Sequence, residues 1–586
     1  MMGKLERALS PAWARLLALF VLALALSLFA WWPMLAAHPL TQNGDGQAYF
    51  KYLEAGRVSI TRYHEFPFWN AYECGGNPLW DNPQSFAGSP IIWLAFFVGA
   101  TRTIEVWIIV HVALGFVSMW LFARSELKLD RMAAFVAAGA WAYSGFHQHH
   151  YSGGHLTFAP FLYFPLALLL WRRAEIDRRF AVGLGMLVAW MFYEGAVYPL
   201  PHLVILLGLE TLTRVWPIKR IPRIALAGAI VGVVALTLAA SRLLPVLDQL
   251  KQHKRAIPED VDAMQWQTFK DMFLARAHGR GVPGQQYVWT EFGTYMGPIV
   301  IALALAGVLL GGAETLWLFV LMMCMGVLMC GHFSKWSPWT VLHAKVPPFK
   351  EMRVPSRFRA ETSMFIAAFA GIAVARLTAL TKRFLPSRSW GEGAKTAIVA
   401  LALIGVGDII SVGLTVIEPF FASPQPLPIV VQSPRLYYGG AGLAPFLDQP
   451  RQNRGEFSCY DEWGWGQGSH LWEGDVPQAR AEDDGAVVDV ANRTQNTITV
   501  DVTATRPSRI LLNTVYDDDW KTDVGKTVNE SNQLAIDLPA GHWQVHARVW
   551  PRTFTLGVAL TAMGMVGTLA FFVWDRRKRS RPGVRG

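Results

Sequence analysis

Apolar stretches long enough to cross a lipid bilayer recur along most of this chain, and that recurrence restricts the fold more than any other feature. In a hydrocarbon layer about 30 Å thick every backbone amide must find its partner within the protein, which favours helices of about 20 apolar residues. Twelve such segments are expected, near 13–35, 103–123, 132–147, 156–171, 180–194, 196–214, 222–245, 297–312, 314–331, 359–380, 395–418 and 553–574. Several are short for a bilayer, so some helices are expected to end early around a cavity. The apolar segment 86–100 reads as re-entrant or interfacial, and omitting it keeps the topology self-consistent. Composition agrees: 52% of residues are hydrophobic, 16% are charged, and 25 tryptophans suit membrane interfaces.

A net charge of +10 invites a nucleic-acid reading, but the basic residues are placed otherwise. With the N-terminus inside, the connections 124–131, 172–179, 214–223 and 382–395 and the tail 576–585 all fall inside and are rich in Lys and Arg. Orientation by positive charge requires that arrangement. The excess is therefore topological, membrane lipids are the expected partners, and nucleic acid is not. The first segment has a basic start and an apolar core, but no small-residue cleavage site follows, so it reads as a retained helix.

The expected fold is a polytopic α-helical membrane protein with a C-terminal extracytoplasmic β-sandwich-like domain inserted before the last helix. Its parts are a transmembrane domain over 1–418 with a large first outward loop (36–102), an outward domain over 419–552, and a last helix with a basic inward tail over 553–586. The proline-rich stretch 422–434 reads as a stiff linker. From about Gly485 to residue 550 the pattern alternates with period two; Trp543, Val545, Ala547 and Val549 share one face. No internal repeat is visible, which counts against transporter folds made of duplicated halves. Cys74 and Cys459 fall in two outward segments, where they either pair as a disulfide or stay as separate thiols. Cys324 and Cys330 lie in an apolar segment and read as packing residues.

Ionisable residues gather at outer helix ends. Asp45, between two glycines, stands just past the first span, where a carboxylate can be ionised, wet and near a headgroup. Trp69, Asn70, Glu73 and Asp81 belong to the same turn-rich loop, and such ordered loops commonly bind ligands. The turn AYSGFHQHHYSGGHLTFAP carries His147, His149, His150 and His155, which suit either a divalent metal or a polar pocket. Glu194, at the outer end of the fifth helix, lines a pathway or pairs with a cation. Arg242 is such a partner or a phosphate contact. Lys350, Arg353 and Arg357 set positive charge on the outer side against the orientation bias, and guanidinium groups grip phosphate oxygens in pairs.

The stations GDGQAYF, PFWNAYECGGNPL, GGHLTFAPFLYFPL, EGAVYP, RLLPVLDQ, TEFGTYMG, PPFKEMRVPSRFR and VYDDDWKTDVG…LPAGHWQVHARVWPRTFTLG follow one another over most of the chain. In that order they resemble the YfhO-like bacterial membrane proteins of the GT-C glycosyltransferase superfamily. The resemblance implies a multi-pass enzyme of the bacterial cytoplasmic membrane, termini inside, that moves a sugar from a polyprenyl-phosphate donor to an envelope glycan, teichoic acid, lipid or protein. It implies Asp45 as general base, donor phosphate near Arg353 and Arg357, and inversion at the sugar. No cofactor is required; a divalent metal assists in some members. The histidine cluster and the DDDW run are not general features of that superfamily. The competing readings are a transporter or flippase for a lipid-linked glycan, and a catalytically inactive assembly protein of the same fold.

Overall fold

The structure, a computed structural model, describes residues 12–37, 44–255, 262–278, 281–384, 388–421, 435–439, 449–460, 463–465, 468 and 470–580. The linker expected over 422–434 lies outside these residues. Among the described residues six helices are long and apolar enough to cross a bilayer: Trp13–Ala30, Pro90–Ser125, Ile218–Gln252, Pro355–Thr381, Ser389–Phe420 and Phe554–Arg579. The pair Gly297–Gly311 and Ala313–Met329, bent by 119°, makes one further broken crossing or a re-entrant hairpin.

The expected count of twelve full spans is thus not reached, and the reason is length. Arg131–Ala142, Phe164–Ala174, Arg178–Tyr193 and Pro199–Arg214 run for 12, 11, 16 and 16 residues. At about 1.5 Å per residue each covers roughly 16–24 Å, short of the hydrocarbon thickness. Their outer ends give way to turns, to the helix Gly145–Ser152 and to the 3-10 helix Leu156–Tyr163. Irregular backbone at that depth is tolerated where protein surrounds it, and these residues are buried. The segment 86–100 adds no crossing of its own, as expected: it forms the 3-10 turn Pro90–Leu94 and a short helical stretch that the non-helical Gly99 sets off from the long helix that follows, within Ala95–Ser125.

Small residues bring the helices together. A Cβ on Gly307 would lie 2.0 Å from the Phe369 carbonyl oxygen, and one on Gly557 would lie 2.4 Å from that of Ala240. Lipid tails are as apolar as leucine, so close backbone approach and its dispersion contacts, rather than hydrophobic exclusion, hold such pairs.

The domain ahead of the last helix is a sandwich of two four-stranded antiparallel sheets. Its strands are β1 (Ala479–Ala481), β2 (Ala486–Arg493), β3 (Thr497–Ala504), β4 (Ser508–Val515), β5 (Trp520–Thr522), β6 (Lys526–Glu530), β7 (Gln533–Leu538) and β8 (Gly541–Val549). One sheet has the order β6-β7-β4-β1 and the other β2-β3-β8-β5. Register places Val545 opposite Val500 and Ala547 opposite Ile498, all buried. The period-two alternation thereby delivers one apolar face to the core.

The segment 64–89 is built into this domain rather than draped over it. Arg242, fully buried, donates to the carbonyls of Trp80, Phe192, Tyr193, Asn82 and Ser85. It neither pairs with Glu194 nor meets the cavity described below; it ties loop backbone to the end of the helix Arg178–Tyr193. Glu194 instead receives His111 at 2.8 Å. Glu73 is also structural: its carboxylate lies 3.8 Å from buried Lys51, which pairs with Glu456 at 2.6 Å, and it accepts the Tyr460 amide at 2.8 Å. Trp69 packs edge-on against Trp520, and Asn70 caps the Tyr72 amide at 3.1 Å. A disulfide joins Cys74 to Cys459, fastening the loop to the segment that follows Gly455.

Asp81 lies in a different acidic group, with Asp517 and Asp519 gathered round the Gln249 amide, which donates to the two latter residues at 3.3–3.5 Å. Burial, and then Asp519 and Asp517, push the Asp81 carboxyl well above its usual range. Burial and Asp517 likewise raise Asp519 to about 6, although Arg552 stands 3.4 Å away.

Two outcomes follow from this construction. Proteolysis without reductant should yield one linked peptide pair carrying Cys74 and Cys459, separated by reductant in mass spectrometry. The folded protein binds the Asp519 proton more tightly than the unfolded chain, so this site's contribution to stability falls as pH rises from 3.8 through about 6. Asp519→Asn should therefore raise the melting temperature in nanodiscs at pH 7 and leave it nearly unchanged at pH 4, by differential scanning fluorimetry.

Candidate active site

Asp45 stands in the first turn of the helix Gly44–Tyr63. The unpaired amides of a helix start favour an anion there. Against it lies the histidine turn, and the glycines in both motifs explain how closely. Gly154 adopts φ +86°, and a Cβ on it would sit 2.2 Å from the Gly46 amide nitrogen. A larger residue would push the turn away from Asp45. With glycine there, His155 Nε2 comes within 2.5 Å of Asp45 Oδ2.

Two further strands of chain complete the setting. Tyr460, next to the disulfide, donates its hydroxyl to Asp45 Oδ1. Burial and the Asp45 charge hold that phenol protonated. Burial also opposes ionisation of Asp45, but the hydrogen bonds from His155 and Tyr460 and the more distant Arg357 bring its carboxyl below the ordinary 3.8. Asp45 is an anion at neutral pH, with its side chain one-third exposed.

The opposite wall comes from 289–291 and 353–359. Arg357 forms a two-pronged pair with Glu291, Nε to Oε2 at 2.9 Å and Nη2 to Oε1. Its guanidinium lies 4.2 Å from the Tyr198 ring centre and 4.9 Å from that of Phe158. Burial opposes ionisation of Glu291 as well, yet Arg357 draws its carboxyl down to about 2. Just before this segment Val354 takes φ +64°, a left-handed turn that a β-branched residue adopts only when its surroundings impose it. That turn aims Arg357 and Arg359 inward.

Between the walls is a polar cavity of about 270 Å³, lined among others by Asp45, His155, Tyr198, Arg255, Glu291, Arg353, Arg357 and Tyr460. A carboxylate thus faces several cations across one space. The structure brings together Asp45, His155, Arg353 and Arg357 from the residues singled out in the sequence. It leaves out Trp69, Asn70, Glu73, Asp81, Glu194 and Arg242, which do the structural work described above. Lys350 is exposed at the end of the short helix Pro347–Lys350, off the cavity lining.

Of the other histidines, His147 bonds Tyr151 at 3.2 Å and His149 packs against His278, with ring centres 5.5 Å apart. His150, His155 and Glu291 are the described residues whose ligand atoms lie within 4.8 Å of one another. Their donors fit a metal poorly. His150 and His155 are 2.6 Å apart through their Nδ1 atoms, and Arg359 Nη2 is 2.8 Å from His150 Nε2. A dication would have to displace those bonds beside two guanidinium groups. Glu291, Tyr460, Tyr198 and Arg255 carried no sequence signal of their own. TEFGTYMG held Glu291 in view as a motif, without a partner to give it a role.

No family model matches the chain, and no curated protein matches it. Among solved structures, the chain is similar to the arabinofuranosyltransferase AftD from mycobacteria, at 14% identity and a TM-score of 0.48. The match covers 90% of this chain and 40% of that one, so the chain spans about two-fifths of that transferase's length. It is also similar to ArnT from Cupriavidus metallidurans bound to undecaprenyl phosphate, at 13% identity and a TM-score of 0.41, over 75% of this chain and 86% of that one.

Proposed function

We propose that this protein is a membrane glycosyltransferase that moves a sugar from a polyprenyl-phosphate donor to a hydroxyl of an envelope acceptor on the outer face of the cytoplasmic membrane. One observation carries the reading. An ionised carboxylate, Asp45, bonded by His155 and Tyr460, faces Arg353, Arg255 and Arg357 across a single outward cavity.

The chemistry needs those two poles. Asp45 takes the proton of the acceptor hydroxyl as that oxygen attacks the anomeric carbon on the face opposite the phosphate. The bond from the anomeric carbon to the phosphate oxygen breaks, its electron pair leaves with the phosphate, and the sugar is inverted. The charge that builds on the leaving group is met by the arginine wall. A phosphate leaves without a proton, so a second carboxylic acid is unnecessary, and the transition state resembles an oxocarbenium ion. Arg357, joined to Glu291, supplies positive potential, and Arg353 and Arg255, which line the same cavity, are assigned to phosphate oxygens.

An apolar groove of about 520 Å³ supports the lipid character of the donor. It lies between the helix Trp266–Leu274 and the bent pair, against the helix that follows Arg357, and Phe269, Phe273, Leu305, Met322 and Ile366 line it. An isoprenoid chain fits such a surface.

Asp45→Asn should lower transfer from a polyprenyl-phosphate sugar by about 10²–10⁴-fold in nanodiscs at equal protein level. Wild-type turnover by that variant would overturn the assignment. The rate should stay flat at acid pH and decline only below 3.8, because the base is lost as pH falls through its depressed value. Arg353→Ala should raise KM for the donor about tenfold, a loss of roughly 1.4 kcal/mol of phosphate binding, with a smaller effect on acceptor KM.

A further inference from the structure

Arg359 looks at first like a third phosphate ligand, and its bonds say otherwise. It is fully buried, and each of its N–H groups is engaged by an uncharged acceptor. Nε donates to Thr294 Oγ1 at 2.6 Å; Nη1 donates to the carbonyls of Glu291 at 2.5 Å and Ser356 at 3.3 Å. Nη2 donates to the Thr290 carbonyl at 2.9 Å and to His150 Nε2 at 2.8 Å. Among the described residues no carboxylate lies within ion-pair distance of it.

A guanidinium can only donate, and that decides the protons of everything beyond it. His150 Nε2 must offer its lone pair to Arg359, so the His150 proton sits on Nδ1. That Nδ1–H points at His155 Nδ1, 2.6 Å away, which must then accept. The His155 proton is thereby confined to Nε2, which lies 2.5 Å from Asp45 Oδ2. Each imidazole has both nitrogens used, and each ring is neutral. A cationic His155 would need a proton on Nδ1, where His150 already presents one.

We propose that Arg359 and His150 form a positioning relay that fixes the tautomer of His155, so that His155 donates to Asp45 and cannot compete with it for the acceptor's proton. The chain Arg359–His150–His155–Asp45 runs from a fixed cation to a fixed anion through two neutral rings, and successive donors polarise one another in the same sense. Its stiffness holds the Asp45 carboxylate in place at the cavity wall. The relay concerns the base named under the proposed function and rests on that reading for its catalytic meaning, but its proton positions are measurable by themselves.

The test uses the full chain in nanodiscs with 15N-histidine. Imidazole shifts, assigned by difference from His150→Phe and His155→Phe, should report His150 protonated on Nδ1 alone and His155 on Nε2 alone. A cationic His155, a His150 proton on Nε2, or displacement of both signals by stoichiometric zinc would overturn the relay. For the reaction, His150→Phe should lower kcat by about 10–100-fold, the usual cost of losing an outer partner of a functional side chain. Donor KM should move about twofold at most. His150→Asn places an amide N–H where Nδ1–H stood and should recover most of that loss; equal losses in both variants would also overturn the proposal. If the protein transfers no sugar, the spectra still decide the relay; if the spectra fail while Asp45→Asn abolishes transfer, the enzyme reading stands without it.

Discussion

The 2.5 Å contact between Asp45 and His155 is the interaction on which the outer face of this protein depends. It joins the first outward helix to the histidine turn, two parts of the chain about a hundred residues apart. Two conditions make it possible. Gly154 lets the turn lie against the backbone of Gly46, and the loop that carries Asp45 is held rigid from behind. Arg242 ties three carbonyls of that loop to two at the end of the helix Arg178–Tyr193, the Lys51–Glu456 pair holds its helix, and the Cys74–Cys459 bridge brings Tyr460 to the same carboxylate. A base on a loose loop would lose the orientation that proton transfer needs.

Charge in the outer half is arranged by separation. Carboxylates and guanidinium groups are buried there in number, and several are matched either to an opposite charge or to a set of neutral donors or acceptors. Glu291 takes Arg357 in two-pronged geometry; Arg359 takes carbonyls and an imidazole. The consequence is functional, because a cation matched by carbonyls keeps its long-range field while giving up its freedom to bind a ligand. Positive segments that look alike in sequence therefore divide into potential-setting and cavity-lining residues. The Asp81, Asp517 and Asp519 group shows the opposite case, where burial and mutual repulsion raise carboxyl groups that only partly find a counter-charge.

Much of the architecture could be read from periodicity. The helical segments, the switch to period two near Gly485 and the inward face of β8 follow from hydrophobic spacing that local geometry obeys directly. The number of full spans could not be read so, because whether an apolar segment of 11 to 16 residues crosses the bilayer depends on what surrounds its ends. The segment 86–100, expected beside a crossing rather than as one, is set off from the long helix that follows by the break at Gly99.

For the site the division is sharper. Sequence alone was enough to mark Asp45, the glycine–histidine turn and the arginine segment, because glycines beside ionisable residues at helix ends are rare without a steric or chemical reason. It favoured Asp45 without excluding Glu73 or Asp81, and it could not separate the roles of Arg357 and Arg242, since these differ in what stands opposite them. Nor could it find Glu291 or Tyr460, whose significance is the partner each meets across hundreds of residues. Residue type and spacing determine which groups can ionise and where the chain can turn tightly. Which of those groups faces open space and which is spent on backbone carbonyls is decided by long-range packing, and only the tertiary structure contains that.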